Sequence, residues 1–266
     1  MLVLIRGAGD IATGIALRLW RAGLSVVMTD LPRPTAIRRT VCFSQAILFG
    51  TYTVEDVTAR RADSPEDVAG ILAGGEIPVL ADPDGASIAA LQPDAVVDAI
   101  LAKKNLGTKI TDAPVVVGIG PGFTAGEDCH AVVETMRGHT LGRVIHQGPA
   151  IPNTNIPGLI GGFAGERVLR APADGVFHQI RDIGAVVEAG DTVGEVAGEP
   201  MQCTISGVLR GILADGTPVF KGMKSGDVDP RCKPEYCTQS SDKALAVGGG
   251  VLEAVLQLSG VLKGDR

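Results

Sequence analysis

The residues with the plainest chemical meaning stand at the amino terminus. Gly7-Ala8-Gly9-Asp10-Ile11-Ala12 fits the spacing G-x-G-x-x-G/A, with alanine in the last place. In such a loop the first glycine allows a sharp turn and the second lets the main chain approach a pyrophosphate. The small third residue lets helix and strand pack closely. Free N–H groups at the helix start then meet the anion. Asp30, 23 residues after Gly7, stands where an acid would hold a ribose hydroxyl. Two readings stay open: a phosphate cradle, and a tight turn that holds no ligand. Asp10 bears on the choice, because its charge would repel a phosphate unless it caps the helix instead.

Three further groups could do chemistry. Arg33, Arg38 and Arg39 follow the second apolar run, and Arg38 and Arg39 could grip a phosphate or carboxylate in bidentate fashion. The plainer reading is a solvated basic patch. Gly118, Gly120, Gly122 and Gly126 form a loop that leads into Cys129 and His130. A thiolate at Cys129 with His130 as its base would be a nucleophile. Neighbouring strand residues point to opposite faces, however, which works against a direct pair, and a buried thiol is the alternative. Cys129, His130, His139 and His146 match no compact zinc pattern, and Cys232 with Cys237 is half a site, so no metal is expected.

These groups need elements to hold them. "MLVLIRG" reads as a buried strand, "IATGIALRLWRAG" as a helix stopped by Gly23, and "LSVVMTD" as a second strand ending in Asp30. "SPEDVAGILAGG" reads as a helix capped by Ser64. "EIPVLAD", "DAVVDAIL" and "APVVVGIG" read as three more strands, and "CHAVVET" and "LGRVIHQ" as strands joined by a turn. This alternation predicts an α/β fold with a Rossmann-like, doubly wound parallel sheet, a nucleotide-binding domain over residues 1–165.

After residue 165 the pattern changes. "GVFHQIRDIGAVVEAG" and "GVLRGILADGTPVFKG" match at one offset of 32, pairing Gly175 with Gly207, Ile180 with Ile212 and Val187 with Val219. The repeat resembles the two halves of a biotinyl/lipoyl carrier, a small all-β barrel-sandwich. The carrier lysine that the resemblance implies is missing: the matching segment holds Met201, Gln202 and Cys203, and Lys221 and Lys224 lie elsewhere. Residues 166–230 are therefore expected to form a β module without a cofactor. Residues 231–266 are expected to be a loop and a helix that docks on the amino-terminal domain, with three glycines marking close packing.

Composition narrows the function classes. The 266 residues carry a net charge of −6, which argues against nucleic acid as a partner. No apolar run of about 18 residues is present, so no membrane span is expected. Five scattered cysteines and no visible signal peptide predict reduced thiols and a cytoplasmic protein.

Four long strings, "IRGAGDIATGIALRL", "PTAIRRTVCFSQA", "VGIGPGFTAGEDCHAVVETMRGHTLGRV" and "SDKALAVGGGVLEA", closely resemble the selenium-dependent molybdenum hydroxylase accessory proteins of the YqeB family. The resemblance implies an accessory or maturation role with a molybdenum hydroxylase client as partner. On that basis the glycine loop would bind a small phosphate-bearing ligand, a NAD-like dinucleotide or a molybdopterin-type compound, and Cys129 would handle sulfur or selenium. Two other classes are an NAD-dependent oxidoreductase, for which Lys103 and Lys104 are the nearest proton donors, and a non-catalytic scaffold that docks a client enzyme.

Overall fold

A computed structural model of the chain describes residues 1–154 and 157–262. They form two compact units that alternate along the sequence. The first takes Met1–Pro34, Cys42–Asn153 and the stretch from Ser240 onward; the second takes Thr35–Val41 and the stretch from Thr154 to Gln239.

In the first unit the strands are β1 (Leu2–Arg6), β2 (Ser25–Asp30), β3 (Thr51–Val54), β4 (Val57–Ala62), β5 (Ile77–Ala81), β6 (Ala95–Asp98), β7 (Val115–Ile119), β8 (Thr124–Ala125), β9 (Ala131–Val133), β10 (Val144–Ile145) and β11 (Gly148–Pro149). Nine of them form one mixed sheet in the order β10-β9-β7-β6-β1-β2-β5-β4-β3. β1 sits between β2 and β6, parallel to both, and its Val3, Leu4 and Ile5 are fully buried. That is why the run carries no polar alternation: a central parallel strand is covered on both faces. β8 and β11 pair separately.

The helices of this unit are α1 (Asp10–Arg21), α2 (Gln45–Phe49), α3 (Val68–Ala73), α4 (Ser87–Leu91) and α5 (Asp242–Ser259). Ile11, Ile15 and Leu19 of α1 are buried at helical spacing. Ser64 and Asp67 make a reciprocal capping box on the 3₁₀ turn before α3. Ser241 caps α5, accepting from the Ala244 amide at 3.2 Å. α5 lies along α1 and touches β7, β9 and β10. A Cβ on Gly248 would stand 2.8 Å from the Gly14 carbonyl oxygen, and one on Gly250 would fall onto the Gly142 carbonyl oxygen. The helix approaches its neighbours closely because these residues have no side chain.

The second unit holds β12 (Val168–Arg170), β13 (Gly175–Gln179), β14 (Val186–Val187), β15 (Thr192–Val196), β16 (Glu199–Gln202), β17 (Gly207–Ile212), β18 (Thr217–Val219) and β19 (Lys224–Asp229). They form two four-stranded sheets, β12-β19-β17-β14 and β16-β15-β13-β18. The two copies of the repeat exchange strands: β13 of the first pairs with β18 of the second, and β17 of the second with β14 of the first. Phe177, Leu209, Met201 and Cys203 lie in one buried cluster.

The expected doubly wound sheet followed by a barrel-sandwich is corrected by this topology. The large sheet is mixed. Its edges are closed by antiparallel pairs, β3 with β4 and β9 with β10, through hairpins rather than crossover helices. α2, α3 and α4 have only five or six residues, too short to wind both faces of a parallel sheet. The remaining strands form several antiparallel sheets, not a Rossmann-like plus biotinyl/lipoyl-like arrangement.

Candidate functional site

The glycine loop lies at the carboxyl end of β1 and opens α1. Gly7 has φ +100°, and a Cβ there would stand 2.8 Å from the Ala99 carbonyl oxygen, so the turn requires glycine. The Ala8 amide donates to Asp30 Oδ2 at 2.8 Å, and the Asp30 carboxylate also accepts from Leu31 N. The Ala8 carbonyl accepts from the Ser44 amide at 3.0 Å and from the Thr13 hydroxyl at 3.3 Å. The Thr13 oxygen in turn accepts from the Phe43 amide. These bonds tie the loop to β2 and to the segment that leads into α2.

What remains open is the tip. Gly9 is the N-cap of α1 and no side chain caps the helix, so Asp10 is not the cap that the sequence allowed; it is the first helical residue. A Cβ on Gly9 would meet nothing within 4 Å. A helix start of this kind favours negative charge through its N–H groups and its dipole; Asp10 in the first turn already supplies one such charge, so a phosphate at the tip would bind against that carboxylate. Ala12 is buried, 1% exposed, under the close packing that its small size allows.

Asp30 completes this corner in another way than a free ribose acceptor would. Burial pushes its carboxyl above the ordinary 3.8, and the hydrogen bonds from Leu31 and Ala8 offset part of that rise.

Gly120 and Gly122 follow β7, at the same end of the sheet. A Cβ on Gly120 would strike the Thr135 hydroxyl, and one on Gly122 the main chain at Lys104, so both serve close packing of loops. Cys129 is fully buried among Leu4, Val96 and Val116. Burial, followed by the charges of Asp128 and Asp98, pushes its thiol up to about 11, away from the thiolate that a nucleophile needs. His130 Nδ1 accepts from the Val116 amide at 2.9 Å, which holds the ring to β7.

Arg38 and Arg39 are used inside the second unit. Arg38 is buried and donates to the carbonyl oxygens of Tyr236 and Gln239; Arg39 donates to that of Ile212 and to Gln179 Oε1. The structure thus brings Gly7, Ala8, Gly9, Asp10, Ala12 and Asp30 together, and gives Arg38 and Arg39 main-chain partners far along the sequence. One polar cluster went unread in the sequence: Arg6 and Asp98, at the ends of β1 and β6, with Thr108 from the loop before β7. Asp98 Oδ2 accepts from the Thr108 hydroxyl at 2.6 Å, and Arg6 Nη1 donates to Thr108 Oγ1 at 2.6 Å. The signal was a charged residue closing each of two apolar strands. Among the described residues no cluster of three or more His, Cys, Asp or Glu side chains could hold a metal ion.

Comparison with known proteins gives one strong relation. The chain is 50% identical over 257 residues, 97% of its length, to "Uncharacterized protein YqeB" of Escherichia coli K12, and the two are homologous over that stretch. The chain spans 48% of that relative's length. No family model matches. Among solved structures, the ectoine utilization protein EutE (DoeB) of Ruegeria pomeroyi is 12% identical with a TM-score of 0.28, over 85% of this chain and 84% of that one. An aspartoacylase family protein of Mesorhizobium loti is 11% identical with a TM-score of 0.28, over the same shares. At such TM-scores the likeness carries no argument about this chain. No helix among the described residues is long and apolar enough to cross a membrane.

Proposed function

We propose that this chain is an accessory protein for a selenium-dependent molybdenum hydroxylase and that it binds a small phosphate-bearing ligand at the Gly7–Ala12 loop. Four long strings support the accessory role by their resemblance to such proteins, and the homology with YqeB extends over 257 residues of the chain. The homologue is uncharacterized and brings no activity of its own.

The observation that carries the ligand reading is the open, uncapped tip at Gly9. It lies at the end of a strand held between two parallel neighbours. Gly7 and the Asp30–Ala8 bond fix the loop before any ligand arrives, so little ordering entropy is lost on binding.

The test is a thermal-shift panel of NAD, NADP, FAD, ATP, CTP and molybdopterin analogues on wild type and on Gly9→Ala. A ligand that binds only the native state raises the melting temperature with dose. One class of ligand should do so in wild type, and the added methyl at the tip should abolish the rise. No rise with any member overturns the ligand reading. Failure to co-purify with a molybdenum hydroxylase under native conditions overturns the accessory role.

A further inference from the structure

Strand residues two apart share a face. Leu4 of β1 packs with Val96, Ile88 and Leu91, so Arg6 emerges on this α4 side of the sheet. There it lines a groove of about 1000 Å³ between α4, with its preceding turn, and residues 107–114.

Arg6 is 3% exposed, and its guanidinium carries five N–H donors and a permanent charge. Few of these donors are used. Nη1 donates to Thr108 Oγ1 at 2.6 Å, and Nη2 reaches the Pro83 carbonyl oxygen only at 3.5 Å. Asp98 Oδ2 stands 3.7 Å from Nη1 and is engaged by the Thr108 hydroxyl. Nε makes no hydrogen bond among the described residues. Gly85, at φ +77°, keeps that nitrogen clear, since a Cβ there would stand 3.2 Å from it. Asp98 thus supplies a buried counter-charge, and what the guanidinium lacks is acceptors for its remaining N–H groups, which a ligand oxygen in the groove would supply.

The groove's other charges have the opposite balance. Its lining also holds Lys109 and three carboxylates, Asp84, Asp94 and Asp112. Asp94 accepts from the Leu2 amide and Asp112 from the Lys109 amide, whereas Asp84 has no hydrogen bond among the described residues. The carboxylates disfavour a plain anion in the groove. A molecule with both a carboxylate and an ammonium suits a lining that offers both kinds of charge.

We propose that this groove binds a small zwitterion of the amino-acid class, its carboxylate on the Arg6 guanidinium and its ammonium on the carboxylates of the lining. The site is separate from the glycine-loop proposal, and each can fail without the other.

The experiment is titration of the whole chain, by calorimetry and ligand-observed NMR, with glycine, aspartate, lysine, acetate, methylammonium and inorganic phosphate. At least one amino acid should bind saturably, about tenfold or more tightly than acetate or methylammonium. Ala89→Trp places a bulky ring at the exposed wall of the groove and should abolish binding while the circular dichroism spectrum is unchanged. Arg6→Gln should weaken binding by about tenfold or more. If Arg6→Gln does not fold, Ala89→Trp decides alone. Saturable binding that survives Ala89→Trp, acetate or phosphate binding as tight as any amino acid, or no saturable binding at all would each overturn the proposal.

Discussion

Asp30 Oδ2 accepts a hydrogen bond from the Ala8 amide at 2.8 Å, so the acid at the end of β2 holds the glycine loop at the end of β1. The bond spends one loop donor on the protein itself and fixes the position of those beyond it.

The same carboxylate sets a pH dependence. Burial holds its pKa above the ordinary 3.8. The folded state therefore keeps this proton more firmly than the unfolded chain. The stabilisation is fully present below about pH 4 and is lost as pH rises through the folded pKa. Asp30→Asn does not titrate there. The stability of wild type minus that of Asp30→Asn should be larger at pH 3.5 than at pH 7, by thermal melts across that range. A flat difference would show that Asp30 is not perturbed.

Thiol reactivity should be divided sharply. Cys42, Cys129, Cys203 and Cys237 are buried, and Cys232 is exposed. In native buffer at pH 8 one thiol should react with an aromatic disulfide reagent within minutes, and Cys232→Ser should remove that phase. Cys129→Ser should leave it unchanged. Fast labelling of Cys129 would contradict its burial and restore it as a candidate nucleophile.

Adjacent glycines of α5 should respond in opposite directions. Gly249 has open space at its Cβ position, so Gly249→Ala should stabilise by about 0.5–1 kcal/mol through helix propensity. Gly250→Ala would push a methyl into the Gly142 carbonyl and should destabilise by about 1–3 kcal/mol. Urea unfolding of the two variants checks the sign of each.

The second unit carries a buried ion network. Arg210 donates to Asp227 Oδ2 at 2.6 Å and to Asp229 Oδ2 at 3.3 Å, and Arg167 donates to Asp227 Oδ1 at 2.9 Å. Arg210→Met should cost about 3 kcal/mol or more, because two buried carboxylates lose a shared cation. Adding Asp227→Leu to Arg210→Met should cost less than the sum of the single changes, a coupling that a double-mutant cycle in urea measures.

The parts legible in the sequence are those set by neighbours in the chain. The uniform apolar runs at Leu2–Arg6 and Val115–Ile119 are strands, and the periodic run after Asp10 is a helix. Ser64 announces the helical turn it caps. The loop from Gly7 to Ala12, with Asp30 near it, also came from spacing alone. The fold class did not: a hairpin such as Val54–Val57 and a crossover look alike until partners are known, and the sheet proved mixed. Arg38 and Arg39 misled for the same reason, since the carbonyl oxygens of Tyr236 and Ile212 that accept their hydrogen bonds lie about 170 to 200 residues away.

By itself, then, the order of residues determined local backbone states and the chemistry available at each position. Strand alternation, caps and glycine freedom act over a few residues, so they are written locally. Only the tertiary structure decided which way the sheet edges close. It also placed residues 35–41 in the unit formed by distant sequence, and left the Arg6 guanidinium with spare donors in a groove. Those outcomes depend on burial and hydrogen-bond satisfaction summed over contacts between segments far apart, and no short stretch of sequence carries that sum.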